Sequence, residues 1–216
     1  MSRADQRRFA RLFVGVKIAP EIASALAKIA RSLEDPSVRL VPAADIHLTL
    51  VPPWAEEHVE AAALALRAAL PSAGSFDLVF EHLNYGPAPM APKFLWAECA
   101  ATNELCLLQK LLLSAFNQTD ERPFRPHVTL ARLGKNGHRI ARKQPMDRQL
   151  SFRQTVRSID LFRSPQQQGL GYEIVASIPL YSGSPASAAA SDPAKEASAP
   201  ACHNLDQVID SKVPNA

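Results

Sequence analysis

The 216-residue chain has only 8 glycines, and none form the glycine-rich turn that cradles nucleotide phosphates, which argues against nucleoside triphosphate chemistry. It also lacks a Gly-x-Ser-x-Gly elbow, so no serine nucleophile of that kind is expected. The three cysteines, Cys99, Cys106 and Cys202, fall at no metal-ligand spacing and in an odd number, and no disulfide framework is expected. Apolar runs such as Ala61 to Leu66 and Leu111 to Leu113 are far shorter than the roughly 18 residues of a membrane span. Arg3, Arg7 and Arg8 lie near the start, but Arg11 and Lys17 interrupt the apolar stretch that a signal peptide requires. A reducing cytoplasm without membrane attachment is the expected setting, with a monomer as the default state.

What is present is an ordinary globular composition, 47% hydrophobic and 21% charged, enough for one core or for two small lobes sharing one. Net charge is only +3, yet it is unevenly spread. Residues 122–163 hold eleven Lys or Arg against Asp147 and Asp160, a local +9 that attracts polyanions, nucleic acid first among them.

Patterning divides the chain into three parts: a flexible start at 1–9, a folded body over 10–181, and a tail from 182 to 216. In the tail, Ala, Ser and Pro supply 15 of the 19 residues from Gly183 to Ala201, too little apolar surface to offset the entropy of ordering. Within the body, Arg11 to Ile18 reads as a strand, and Pro20 opens a helix with Ile22, Leu26, Ile29 and Leu33 on one face. The next strand is expected to stop at Pro52-Pro53, and a helix to begin at Glu56, Glu57 and Glu60, burying Val59, Ala63, Leu66 and Leu70. Strands follow at Phe76 to Leu83 and Phe94 to Cys99. A third helix, from Asn103 to Gln118, buries Leu105, Leu108 and Leu112. Further strands are expected over Leu150 to Phe162 and Tyr172 to Leu180.

Two strands carry the same phrase: His47-Leu48-Thr49-Leu50 and His127-Val128-Thr129-Leu130. Residues i and i+2 of a strand share a face, so each histidine projects with its threonine while the residues between turn into the core. Each phrase follows a strand and then a helix, with nearly equal leads of 33 and 32 residues from Val14 and from Leu95. That repetition predicts an internal duplication about a pseudo-two-fold axis, with the histidines facing each other across a groove. Imidazole titrates near neutrality, so one histidine can give a proton while the other takes one. The threonine hydroxyls can donate to the oxygens of a phosphate.

Metal binding is the rival use of paired histidines, but stable zinc sites need three or four ligands. Only Asp45, two residues before His47, shares a motif face, and His58, His82 and His138 have no partner at ligand spacing. No metal or other cofactor is therefore expected. Arg132, just past the end of the second motif strand, can reach the same phosphate as a bidentate partner. Phe124 and Trp54 flank the motifs and are candidates for base stacking.

At Arg11-Leu12-Phe13-Val14-Gly15-Val16, at Asp45 to Leu50 and above all at Arg122-Pro123-Phe124-Arg125-Pro126-His127-Val128-Thr129-Leu130-Ala131-Arg132, the sequence resembles the two-histidine (2H) phosphoesterases. Within them it is similar to the RNA 2′,3′-cyclic phosphodiesterases once named 2′-5′ RNA ligases. The resemblance implies an α+β fold of two pseudo-symmetric lobes, each an antiparallel sheet with helices outside, around a central cleft. It implies metal-independent opening of 2′,3′-cyclic phosphate ends of RNA or oligonucleotides to 2′-phosphomonoesters. His47 would be the proton donor to the 3′-oxygen and His127 the base for water, with Thr49, Thr129 and Arg132 holding the phosphate. The alternatives are a 2′-5′ RNA ligase or oligonucleotide phosphodiesterase, a small cyclic-nucleotide phosphodiesterase, and a non-catalytic RNA-binding module. One departure stands out. Val51-Pro52-Pro53-Trp54 replaces the Phe-Leu-Gly-like exit usual in these enzymes and reshapes the acid side of the cleft.

Overall fold

A computed structural model describes residues 9–71, 73–88, 90–165 and 171–181. The tail expected from 182 onward, and all but Phe9 of the expected flexible start, lie outside them.

The chain opens with strand β1 (Ala10–Lys17), whose residues Leu12 to Val16 are buried without a break, as suits a strand inside a sheet. Helix α1 (Pro20–Ala30) starts on Pro20 and buries Ile22, Ala23, Leu26, Ala27 and Ala30. The short strand β2 (Arg39–Leu40) and a 3₁₀ turn at Ala43–Asp45 lead into β3 (His47–Glu56). Strand β3 does not stop at the prolines. Leu12 pairs with Trp54 and Val14 with Val51, so Phe13 alone faces both Pro52 and Pro53. Such a bulge tolerates residues that cannot donate to the ladder. Helix α2 (Val59–Ala69) consequently starts later than expected. Glu56 ends the strand instead, its carboxylate accepting the His58 amide at 2.9 Å and the Trp54 indole N–H at 3.1 Å.

Strand β4 (Phe76–Gly86) runs three residues beyond its expected end, while β5 (Phe94–Cys99) and the start of α3 (Asn103–Ala115) fall where the pattern put them. Thr102 caps α3 by accepting the Leu105 amide at 3.2 Å. Strand β6 (His127–Arg132) carries the second phrase. A short helix, α4 (Gly137–Lys143), had no clear apolar period to announce it. The strand expected over Leu150 to Phe162 is two, β8 (Arg153–Val156) and β9 (Ser158–Arg163), and an unexpected short strand, β7 (Asp147–Gln149), precedes them. Strand β10 (Glu173–Pro179) completes the described chain.

The strands pair in the order β10-β9-β1-β3-β6-β5-β4-β7, with β2 added to β6 and β8 to β4, and every pairing between them is antiparallel. The order shows the duplication. Strands β1, β3 and β9 of one half answer to β5, β6 and β4 of the other, and the halves meet along β3 and β6 at the pair Leu48 and Val128. Both residues are fully buried. Helix α1 packs against β6, and α3 against β3, so each half's helix supports the motif strand of the other.

Candidate active site

The pair Leu48 and Val128 fixes the geometry of the cleft. In an antiparallel register running through it, His47 lies opposite Thr129 and Thr49 opposite His127. Residues opposite one another share a face, as do residues two apart on one strand. The four side chains therefore gather on one side of the sheet, with Leu48 and Val128 turned to the core on the other. A cavity of about 360 Å³ opens over them and is lined by all four.

The leucine that closes each phrase has its own task. Trp96 pairs with Thr129 and Leu95 with Ala131, leaving Leu130 without an opposite residue. In the first half Gly15 pairs with Thr49 and Val14 with Val51, which leaves Leu50 in the same position. Each phrase thus ends in a β-bulge, where two residues face one. On an uninterrupted strand Arg132, five residues after His127, would point away from it. The extra residue returns Arg132 to the cleft, where it lines the cavity as the last residue of β6 and not as a residue past its end. Its guanidinium carbon lies 5.9 Å from the Phe94 ring centroid, and it has no ion pair among the described residues. The same offset from His47 falls on Pro52, so the charge has no mirror image.

Each histidine is held by the carbonyl two residues before it: His47 Nδ1 lies 2.6 Å from the Asp45 oxygen and His127 Nδ1 lies 2.7 Å from the Arg125 oxygen. A carbonyl only accepts, so both Nδ1 atoms carry hydrogen and each neutral ring keeps its lone pair on Nε2. The surroundings differ. His47 is boxed by Phe13 (centroids 4.7 Å apart), Phe162 (5.5 Å) and, edge-on, Tyr172 (4.8 Å). His127 packs on Trp96 at 4.1 Å, and Arg125 stacks on the same indole while pairing with Glu98.

A glycine makes room on each side. A Cβ on Gly86 would run into the Trp96 indole at 1.9 Å, and one on Gly15 would meet the Leu48 carbonyl at 2.3 Å.

Burial pushes both imidazoles below their usual titration range. At His47 the Asp45 carbonyl and carboxylate oppose that shift, while Arg132 and His127 add to it. At His127 the Arg125 carbonyl and Glu98 oppose it, while Arg125 and Arg122 add to it. The Asp45 carboxylate accepts the Tyr172 amide at 3.0 Å and has no ion pair among the described residues, whereas Glu98 is neutralised by Arg125.

Among the cavity-lining residues to which sequence reasoning gave no role are Arg11, Phe13, Ser164 and Tyr172. They lie far apart in the chain and no local signal joins them, although Arg11 and Phe13 belong to a stretch already singled out. Phe124 is elsewhere. It lines an adjoining cavity of about 460 Å³ with Trp96, Arg122 and Arg125, which touches the first through Thr49, Pro53 and His127. Trp54 lines neither of these cavities and packs against Phe116 with ring centroids 4.8 Å apart.

The basic stretch is also less free than its composition suggests. Arg122, Arg125, Arg139, Arg153 and Arg163 pair with Asp120, Glu98, Asp35, Asp77 and Glu173. Burial pushes the Cys99 thiol up, away from reactive thiolate. The described residues bring together no three potential metal ligands, and no helix among them is long and apolar enough to cross a membrane.

The fold recurs in solved structures. TT0787 of Thermus thermophilus is 25% identical, covers 79% of this chain and 97% of its own, and superposes with a TM-score of 0.61. The LigT of E. coli in complex with 3′-AMP is 22% identical over 80% of this chain and 98% of its own, with a TM-score of 0.63. A protein described only as a phosphoesterase is 22% identical over the same shares, at 0.65. No curated protein sequence matches. The model of the 2′-5′ RNA ligase superfamily matches residues 14–168. The chain belongs to that superfamily and is therefore a 2H phosphoesterase by family.

Proposed function

We propose that this protein hydrolyses 2′,3′-cyclic phosphate ends of RNA or oligonucleotides to 2′-phosphomonoesters, with His47 as general acid and His127 as general base. One observation carries the reading: two imidazoles, two threonine hydroxyls and the Arg132 guanidinium, which has no ion pair among the described residues, share a single small cavity. Water attacks phosphorus as His127 Nε2 takes its proton. The bond from phosphorus to the 3′-oxygen breaks as His47 Nε2 gives that oxygen a proton. Thr49, Thr129 and Arg132 hold the non-bridging oxygens, where charge accumulates. The division of duties follows the resemblance to the cyclic phosphodiesterases; at His47 the Asp45 carboxylate favours the imidazolium while Arg132 and His127 oppose it, and at His127 Glu98 favours it while Arg125 and Arg122 oppose it. Each proton transfer contributes about 10²–10⁴-fold to the rate.

The adjoining cavity supports a second reading on the same machinery. A nucleoside seated there would put its 5′-hydroxyl in the place of water, so that a 2′-5′ phosphodiester is formed or opened. An oligonucleotide ending in 2′,3′-cyclic phosphate, incubated in EDTA with and without a 5′-hydroxyl acceptor, separates the two. A 2′-phosphomonoester that appears regardless of acceptor supports hydrolysis. A joined product supports the second reading, and binding without any turnover overturns both.

A further inference from the structure

Arg11 lines the catalytic cavity, yet the division of duties above gives it nothing to do. It shares the cleft face of β1 with Phe13, the ring that backs His47. Along that strand Gly15 lies opposite Thr49 and Arg11 four residues further on, about 13 Å away at roughly 3.3 Å per residue. An arginine side chain alone does not bridge that gap, so a phosphate held by the histidines and threonines lies beyond Arg11. The guanidinium has no ion pair among the described residues, whereas Arg163 at the same end of the sheet is paired with Glu173 at 2.9 Å. Ser164 steadies the strand end, its amide donating to the Arg11 carbonyl at 2.7 Å, and lines the cavity beside Arg11. Its hydroxyl has no hydrogen bond among the described residues. The Tyr172 ring, 5.2 Å from Phe13, walls the space between this rim and His47. The Asp45 carboxylate in the same cavity is engaged by the Tyr172 amide.

We propose that Arg11 and Ser164 form a second anion subsite, which takes the 5′-phosphate of the nucleotide whose cyclic phosphate is opened. The inference rests on the hydrolase reading only for which nucleotide is meant. With His47 protonating the 3′-oxygen, the ribose lies on the His47 side of the cleft. There its 5′-phosphate, one sugar away from the reacting phosphorus, meets Arg11. The specificity that follows is for nucleotides that carry a 5′-phosphate, whether free or linking them to the chain before, over nucleosides with a free 5′-hydroxyl.

Calorimetry with adenosine 2′-monophosphate and adenosine 2′,5′-bisphosphate tests this directly. Wild type should bind the bisphosphate about tenfold or more tightly than the monophosphate, as one charge-assisted contact allows. Arg11→Ala should bring that ratio close to one, Arg11→Lys should keep part of it, and Ser164→Ala should lower it by a few-fold. Arg132→Ala should weaken both ligands by the same factor. Equal affinities in wild type overturn the subsite, as does an Arg11→Ala variant that weakens both ligands alike. Turnover of 2′,3′-cyclic adenosine monophosphate, followed in parallel, keeps the two readings apart. No turnover with an intact bisphosphate preference overturns the hydrolase and leaves the subsite standing. Turnover with no preference overturns the subsite alone.

Discussion

The two halves carry the same phrase on equivalent strands but dress it differently. His47 sits among three rings drawn from β1, β9 and the approach to β10, beside a carboxylate that has no ion pair among the described residues. His127 sits against one indole, in a cluster where Arg125 and Glu98 cancel. Only the second half contributes an arginine through its bulge, because the matching position in the first is Pro52. A reaction that needs one proton given and another taken gains nothing from two identical imidazoles. On the proposed reading, the shared backbone supplies the common orientation and the differing neighbours the opposite duties.

The largest expected effects come from removing either side of the comparison. His47→Ala and His127→Ala should each lower kcat/KM by about 10²–10⁴-fold, and the double variant by less than the product of the two, as members of one unit behave. A mild loss at one histidine would show that a single half does the chemistry. Next is the arginine that one half lacks: Arg132→Ala should cost about 10–100-fold, and Arg132→Lys should recover only part, since the planar fork is lost.

The pH dependence of kcat/KM tests the division itself. Both imidazoles are held below about 6.5, so the bell should peak on the acid side of that value. With His47 as the proton donor and His127 as the base, Asp45→Asn should move the alkaline limb further down. Glu98→Gln should move the acidic limb down instead. Exchanged limbs would assign the duties the other way round.

The smallest effect is on stability. Both histidines bind protons less readily folded than unfolded, so below about pH 6.5 the unfolded chain takes up protons first. The urea midpoint should therefore hold above that pH and decline as pH falls below it, less steeply in His47→Gln and His127→Gln. A midpoint that rises on acidification would contradict the burial of the two rings.

Much of this site was legible without coordinates, for reasons particular residues make plain. Period-two alternation through His47 to Leu50 and His127 to Leu130 is local, as is the proline that starts α1. What escaped was non-local or depended on counting across strands. The box around His47 collects residues 13, 162 and 172, which only the pairing of β1 with β9 and β9 with β10 brings together. The bulges at Leu50 and Leu130 exist only relative to a partner strand, so Arg132 could be suspected from its nearness but not aimed. Pro52-Pro53 reads as a strand end because a missing N–H is a local fact, while the bulge that excuses it lies opposite Phe13.

The meeting of Leu48 with Val128 has one more consequence. An axis through that pair would let two identical copies of either half assemble with both imidazoles already in one cleft, but a symmetric dimer repeats every substitution on both sides. Such a dimer could not own one arginine, one proline and one unneutralised carboxylate. The peptide link between the halves is therefore more than a tether: it is what permits a two-fold cleft to become a directional one.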